Sequence, residues 1–253
     1  MSLLVTDAIV LHSADYLESS RIFRLATREA GVQSVLARGA RSSRKRFGSA
    51  LGLFAEGQAQ IQTKPGRDMH TLLTFDVVKV RPGLAADLGR FIAASALAEC
   101  VLRIVHDEAA PRVYDGIVHG FDAIAAADAP HTTSTALGVL WRLVSDVGFT
   151  PSMDACAECH TAIGDDEDVM FSHLSGGVLC IACGGRTPGG RRLPASARRS
   201  IVAWLTLADS TRELSDGEQR AHQRLLREFL GQHLPDARAM RAYLVWEQGT
   251  WGA

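Results

Sequence analysis

The chain changes its hydrophobic period near residue 82. Before that point, short apolar or β-branched runs alternate with polar positions, which is typical of strands. After it, apolar residues recur every three or four positions, which is typical of amphipathic helices. The pattern predicts an α+β, multidomain protein with a β domain at residues 1–81 and a helical domain at residues 82–253.

The N-terminal region holds five strand-like runs in about 80 residues and no long helical pattern. Ala30-Gly31 and Pro65-Gly66 punctuate the runs as turns. Five short strands predict a small β-barrel or sandwich. An OB-type barrel fits the strand count, although the pattern alone does not separate it from an SH3-like barrel.

Helical spacing governs the rest of the chain, beginning after Pro82-Gly83. It predicts six helices, over about 84–105, 111–127, 137–147, 194–205, 218–231 and 236–247. Two stretches between them, "DAPHTTST" and "GGRTPGGRRLP", have the composition of a loop and a linker.

Composition places the chain among ordinary globular proteins, with 253 residues, 47% hydrophobic and 22% charged. No apolar run approaches the roughly 20 residues of a membrane helix, so no membrane association is expected. The N-terminus lacks a basic leader and reaches Asp7 at once, unlike a secretory signal. We therefore expect a cytoplasmic protein with reduced thiols.

Four of the five cysteines form two C-x2-C pairs separated by 20 residues: Cys156, Cys159, Cys180 and Cys183. This spacing predicts one structural Zn²⁺ site in an insert at about residues 150–187. The alternatives are unmetallated thiols or a redox motif. Four thiolates would complete the zinc shell, leaving no position for catalytic water. Cys100 fits a helix core, and His160 and His173 are expected outside the ligand set.

Charge is unevenly distributed despite a net of −1. Residues 1–81 carry 12 Lys/Arg against 7 Asp/Glu, a net of +5, and the remainder carries 15 against 21, a net of −6. The excess is concentrated in one segment, which we call the basic segment: Arg38, Arg41, Arg44, Lys45 and Arg46. On a small barrel such a segment predicts a surface for nucleic-acid phosphates, although a solvated charge cluster or a nuclear-type address is the alternative. Phe47 either stacks on a base or fills the barrel, and we count it with the basic segment among the expected DNA-binding residues.

A second cationic set, Arg220, Arg224 and Arg227, shares one face of a predicted helix. It is either a solvated face or a second nucleic-acid contact, which Arg198 and Arg199 would extend.

Sequence signatures of common enzymes are absent. The chain has no Walker loop, GxGxxG after a strand, HExxH or GxSxG, and it lacks the H-x-E signature of zinc deaminases. We therefore expect a protein that is not an enzyme. The candidates are a nucleic-acid-binding protein and a zinc-stabilised protein-interaction scaffold without direct DNA handling.

Three stretches resemble the RecO family of bacterial DNA repair and recombination mediators. They are "DAIVLHSADYLESSRIFRLATREAGVQSVLARGARSSRKRFGSAL", "VRPGLAADLGRFIAASALAECVLRI" and "LWRLVSDVGFTPSMDACAEC". The resemblance implies an N-terminal OB domain that uses the basic segment for DNA, and a zinc module that uses the four paired cysteines.

The resemblance also implies a function and partners. Family members bind single- and double-stranded DNA, anneal complementary strands and engage the acidic C-terminal tail of single-strand DNA-binding protein (SSB). With RecR they help to load RecA onto SSB-coated single strands. We accordingly expect a nucleoid-associated protein.

Overall fold

The computed structural model describes residues 2–40, 47, 51–206, 213–233 and 240–249. The chain forms two compact units, Met1–Ala127 and Asp128–Ala253.

A closed five-stranded barrel forms the first part of the first unit. Its strands are β1 (Ser2–Tyr16), β2 (Ser20–Thr27), β3 (Gly31–Ala37), β4 (Glu56–Thr63) and β5 (Met69–Lys79). The order is β1-β2-β3-β5-β4, closed by the pairing of β4 with β1, and only β3 and β5 are parallel. This arrangement confirms the predicted OB-type architecture.

Alternation along the strands fills the barrel. Phe23 and Leu25 of β2 point inward, as does Val35 of β3, so the residues between them face outward. Ile61 and Phe75 complete the same core from β4 and β5. The turn between β2 and β3 requires glycine, because Gly31 has a φ of +60° and a Cβ there would overlap the carbonyl oxygen of His106.

Three helices complete the first unit: α1 (Pro82–Ala85), α2 (Leu88–Ile104) and α3 (Pro111–Ala126). Phe54, which lies two residues before β4, has its ring centroid 5.9 Å from that of Phe91 and 5.0 Å from that of Phe121. Because these helices pack on the barrel, the first compact unit ends at Ala127, whereas the sequence predicts a domain boundary between residues 81 and 82. The domain limits of 1–81 and 82–253 stay predictions.

The second unit contains five helices and a small sheet among its described residues. The helices are α4 (Thr132–Asp146), α5 (Ile181–Gly184), α6 (Ala195–Thr206), α7 (Asp216–His233) and α8 (Arg241–Gln248). The strands are β6 (Val169–Ser172), β7 (Gly177–Leu179) and β8 (Arg191–Leu193), ordered β7-β6-β8. Trp141 of α4 packs against Phe229 of α7, with ring centroids 5.4 Å apart.

Two predictions for this unit are wrong. The stretch "DAPHTTST" is largely helical, with a 3₁₀ turn at Ala129–His131 followed by α4, because Thr132 and Ser134 bond their hydroxyls to preceding carbonyls and become buried. The stretch predicted as a linker contains β8, since β6 offers it an edge to pair with. No helix in the described ranges has the length and apolar character needed to cross a membrane.

Candidate functional site

The four paired cysteines lie together in the second unit. The Sγ atoms of Cys156, Cys159, Cys180 and Cys183 all fall within 4.8 Å of one another, and none forms a disulfide. Cys159 Sγ and Cys180 Sγ are 3.7 Å apart. Zn–S bonds of about 2.3 Å in a tetrahedron place sulfurs about 3.8 Å apart. The donor set therefore fits a single tetrahedral metal ion.

A tight turn presents the first cysteine pair. The N–H of His160 donates to the carbonyl of Cys156 at 2.9 Å, and the N–H of Cys156 donates to the carbonyl of Thr161 at 2.9 Å. His160 adopts a φ of +60° to close this turn. Strand β7 holds the turn in place, because Ala157 N–H donates to the carbonyl of Val178 at 2.8 Å.

A short helix presents the second pair. Cys180 precedes α5, and its carbonyl accepts from Gly184 N–H at 2.8 Å. Cys183 lies inside α5, and its carbonyl accepts from the N–H groups of Arg186 and Thr187. Both pairs are thus fixed by backbone bonds, and their sulfurs converge.

Hydrogen bonds tune the thiols. Burial would raise the pKa of Cys156, but backbone N–H groups of Cys159 and Cys180 bond its sulfur and bring the pKa to about 6. A hydrogen bond between Cys159 Sγ and Thr161 Oγ1, 3.3 Å apart, lowers the pKa of Cys159. Burial and the neighbouring sulfurs raise the pKa of Cys183 to about 12. Such crowding of sulfurs is relieved when a cation takes the place of the thiol protons.

The insert contains buried apolar residues that pack against helices of the second unit. Phe171 and Val178 are fully buried, and the Phe171 ring lies 6.0 Å from that of Phe229 in α7. Arg198 of α6 is 3% exposed and donates to the carbonyls of Met153 and Gly164. These contacts tie the insert to two helices of the same unit.

The other candidate ligands lie outside the sulfur cluster. His160 is exposed, and His173 Nε2 lies 3.1 Å from a carboxylate oxygen of Glu228. Cys100 is buried in α2, where burial raises its thiol pKa. Among the described residues, the metal-binding group therefore consists of the four predicted cysteines.

Most of the basic segment lies outside the described residues, namely Arg41, Arg44, Lys45 and Arg46. Arg38 is described and is exposed directly after β3. Phe47 is 1% exposed and packs in the barrel core with Phe23 and Phe75. A ring that stacks on a base must be accessible, so the prediction of Phe47 as a DNA contact is corrected to a core role.

The second cationic set is largely engaged within its own unit. Arg227 Nε lies 2.5 Å from a carboxylate oxygen of Glu247, and Arg224 Nε lies 3.6 Å from the other. Arg220 is exposed. Arg198 cannot extend such a patch because it is buried, and Arg199 pairs with Asp166 at 2.8 Å.

Two features escaped the sequence analysis. Arg186 Nη2 lies 3.6 Å from Cys183 Sγ, and a cation three residues after the last cysteine was the available signal. The loop Lys64–Asp68 borders a groove of about 1030 Å³ on the barrel. Its sequence, "KPGRD", indicated only a turn, although it holds two cations.

Comparison with known proteins places these features in one family. The family description "Recombination protein O N terminal" matches residues 1–81, and "Recombination protein O C terminal" matches residues 85–241.

Relatives named "DNA repair protein RecO" match along most of their length. The protein from Anaeromyxobacter sp. (strain K) is 34% identical over 243 residues, covering 93% of each chain. The protein from Symbiobacterium thermophilum is 30% identical over 251 residues, covering 97% of this chain and 92% of the relative. Both family matches and these full-length similarities show that the chain belongs to the RecO family of DNA repair proteins.

Proposed function

We propose that this chain binds single- and double-stranded DNA through its barrel and anneals complementary strands during recombinational repair. The observation that carries the proposal is a closed barrel of OB order whose strand β3 leads directly into the basic segment. OB barrels commonly bind oligonucleotides, and clustered cations attract phosphates. Membership of a family of DNA repair proteins supports a role for this surface in DNA repair.

Annealing by such a protein needs no chemical step. Two complementary strands repel each other through their phosphates. Cations supplied to both strands release counterions, lower that repulsion and raise the local concentration of one strand near the other. Accordingly, the proposal assigns no nucleophile and no general base, and the protein acts as a mediator.

We assign the metal as one structural Zn²⁺ held by the four paired cysteines. Zinc held by these four thiolates would supply a structural cross-link and would leave no position for a catalytic water. Cys156 and Cys183 are buried and anchor the site inside the insert, whereas Cys159 is exposed. Thr161 Oγ1 lies 3.3 Å from Cys159 Sγ, and Arg186 Nη2 donates to Cys183 Sγ at 3.6 Å, so both side chains contact the cluster from outside.

The partners belong to the same proposal. With RecR the chain would help to load RecA onto single strands coated by SSB, whose acidic C-terminal tail it would engage. A scaffold function without direct DNA handling is the competing candidate. It is favoured by the arginines of the second unit, several of which already pair with its own carboxylates: Arg191, Arg192, Arg199 and Arg227.

A salt titration separates the two candidates. Fluorescence anisotropy with labelled single- and double-stranded oligonucleotides would be measured between ~50 and ~200 mM salt. The DNA-binding function predicts that a variant with all five cations of the basic segment changed to alanine loses about 0.7–0.9 log units of salt slope per lost phosphate contact. Capture of SSB without any DNA binding by the wild type would favour the scaffold.

A further inference from the structure

We propose that Cys159 and Cys180 form an oxidation site, at which a hydroperoxide converts two of the four metal-binding thiolates into a disulfide. The oxidation site is the solvent-facing half of the zinc site proposed above, so it rests on that assignment. The oxidant belongs to one chemical class, hydrogen peroxide and the organic hydroperoxides. Oxidation would open the metal site, and reduction would restore it.

The four sulfurs of the cluster differ in their access to solvent. Cys159 is exposed and Cys180 is half-buried, whereas Cys156 is fully buried and Cys183 is 3% exposed. Ile181, the residue next to Cys180, is 89% exposed, so this side of the cluster faces solvent. Because a dissolved oxidant reacts with the sulfurs that it can reach, attack is directed to the exposed side of the cluster.

Backbone pairing holds the two accessible sulfurs next to each other. Cys159 Sγ and Cys180 Sγ are 3.7 Å apart, and they belong to different C-x2-C pairs. The N–H of Ala157 donates to the carbonyl of Val178 at 2.8 Å, and each cysteine lies two residues after one of these bonded residues. Formation of an S–S bond therefore requires only that two side chains approach, because their backbone segments are already paired.

The reaction transfers two electrons from sulfur to oxygen. The Cys159 thiolate attacks the peroxide, the O–O bond breaks, and a sulfenic acid forms on Cys159 with release of hydroxide. The Cys180 thiolate then attacks the sulfenic sulfur, forms the S–S bond and displaces a second hydroxide. Two thiolates and one hydrogen peroxide thus give one disulfide and two hydroxide ions. Both electrons come from the two sulfurs.

Oxidation leaves too few ligands for a structural metal. Cys156 and Cys183 are the two remaining thiolates, and a structural zinc site needs four donors. Among the residues that the structure describes, no other His, Cys, Asp or Glu joins this group. Disulfide formation therefore opens the site, and a thiol reductant in the presence of Zn²⁺ closes it again.

The insert that would lose its metal contacts two helices of the same unit. The ring of Phe171 lies 6.0 Å from that of Phe229 in α7, and Arg198 of α6 donates to the carbonyl of Met153 at 3.3 Å. Oxidation should therefore destabilise the second unit. Residues 1–81 contain no cysteine, so the proposed DNA surface itself offers no thiol to the oxidant.

The wild-type chain provides the first test. Zinc-loaded protein is treated with hydrogen peroxide, and zinc release is followed with a colorimetric chelator while free thiols are counted. We expect each released ion to be accompanied by the loss of two thiols. Reduction followed by addition of Zn²⁺ should restore both the thiols and the metal content.

Peptide mapping identifies which sulfurs are joined. Cleavage after Glu158 separates Cys156 from Cys159, and cleavage after Glu167 separates Cys159 from the second cysteine pair. Fragmentation of the joined peptides in the mass spectrometer then distinguishes Cys180 from its neighbour in that pair. We expect the disulfide between Cys159 and Cys180 as the first product. The mapping uses the wild-type chain and does not depend on the folding of any variant.

A histidine substitution separates metal binding from oxidation. Cys159→His keeps four donors, because sites with three cysteines and one histidine also bind zinc. This variant should retain the metal, form no such disulfide and lose the rapid release of zinc on treatment with peroxide. Cys100→Ser is the matched control, because Cys100 is fully buried in α2 and lies outside the cluster. Its zinc release should equal that of the wild type.

Three results would overturn the oxidation site: a disulfide formed within one C-x2-C pair, oxidation to sulfinic acid without a disulfide, or zinc retained under peroxide. A purified chain without zinc would instead reject the metal assignment on which the oxidation site rests. None of these measurements involves DNA, so failure of the DNA-binding function is a separate result, given by the salt titration described above.

Discussion

Among single residues, Arg81 joins the barrel to the helices that follow it. Its side chain is 2% exposed and donates to Glu56 at 2.6 Å, to Asp122 at 2.7 Å and to the carbonyl of Phe54 at 3.0 Å. A guanidinium can serve these three acceptors at once because its donors form a rigid planar fork. The residue lies one position before Pro82, where the chain changes from strand to helix.

Replacing Arg81 should destabilise the first unit strongly. Arg81→Ala leaves the partly buried carboxylates of Glu56 and Asp122 without their shared cation, and loss of a hydrogen bond to a charged group costs about 1.5–3 kcal/mol. Urea unfolding followed by circular dichroism measures the change. Arg112→Ala, at an exposed site on α3, should stay within about 0.5 kcal/mol of wild type. A loss below about 1 kcal/mol for Arg81→Ala would contradict the assigned role.

The same cluster predicts a dependence on pH. Burial opposes ionisation of Asp122, but hydrogen bonds from Lys79 and Arg81 outweigh it and lower the pKa. A carboxyl with a depressed folded-state pKa contributes its full stability above its unfolded pKa of about 3.9 and loses it as the pH falls through the folded value. The urea midpoint of Asp122→Asn should therefore fall less between pH ~5 and pH ~2 than that of wild type. Parallel curves for the two proteins would exclude this contribution.

At the scale of elements, hydrophobic periodicity predicted the strands and helices whose formation depends on the local sequence. Five strands, the turns at Gly31 and Gly66 and the helices beginning at Pro111 and Ala195 follow from alternation, helical spacing and punctuation by Gly and Pro. Strand β8 could not be predicted in this way, because three residues in a Gly-rich stretch become a strand only when β6 pairs with them. The helical start at Thr132 likewise depends on burial of its hydroxyl.

The same distinction between local and tertiary signals applies to the residues of the candidate site. Cysteine spacing is a local signal, and it predicted a cluster that the fold assembles. The engagement of Arg198 and Arg227 is tertiary, since their partners lie 34–45 and 20 residues away. Phe47 shows the limit most clearly, because no local pattern tells whether an aromatic after a basic run faces solvent or the barrel interior.

The stability of the insert should depend on its metal, and removal of the metal should also destabilise the helices that pack against the insert. We expect about one zinc per chain, measured by plasma emission spectrometry. Because Phe171 packs on α7 and Arg198 binds the insert backbone, a chelator should lower the thermal midpoint of the second unit. Cys156→Ser should lose the metal, whereas Cys100→Ser, a control at a buried cysteine outside the cluster, should keep it. Full metal content in Cys156→Ser would contradict the site.

At the scale of the whole molecule, the two parts of the chain differ in net charge, and we assign them different roles. The net +5 of residues 1–81 accompanies an OB-type barrel, and the net −6 of the remainder accompanies helices and the cysteine cluster. In this account the first part attracts phosphates, and the thiolate-bound zinc holds the insert in shape. We therefore expect surface charge to drive strand handling, and we expect it to proceed without added nucleotide.

The most direct test is the rate at which two complementary labelled oligonucleotides anneal in the presence of the protein, with no nucleotide cofactor added. The account predicts that the wild type accelerates annealing. It predicts that alanine at Arg38, Arg41, Arg44, Lys45 and Arg46 abolishes this acceleration while thermal stability and metal content are retained. Annealing at the uncatalysed rate with the wild type, or undiminished acceleration by the neutralised variant, would contradict it.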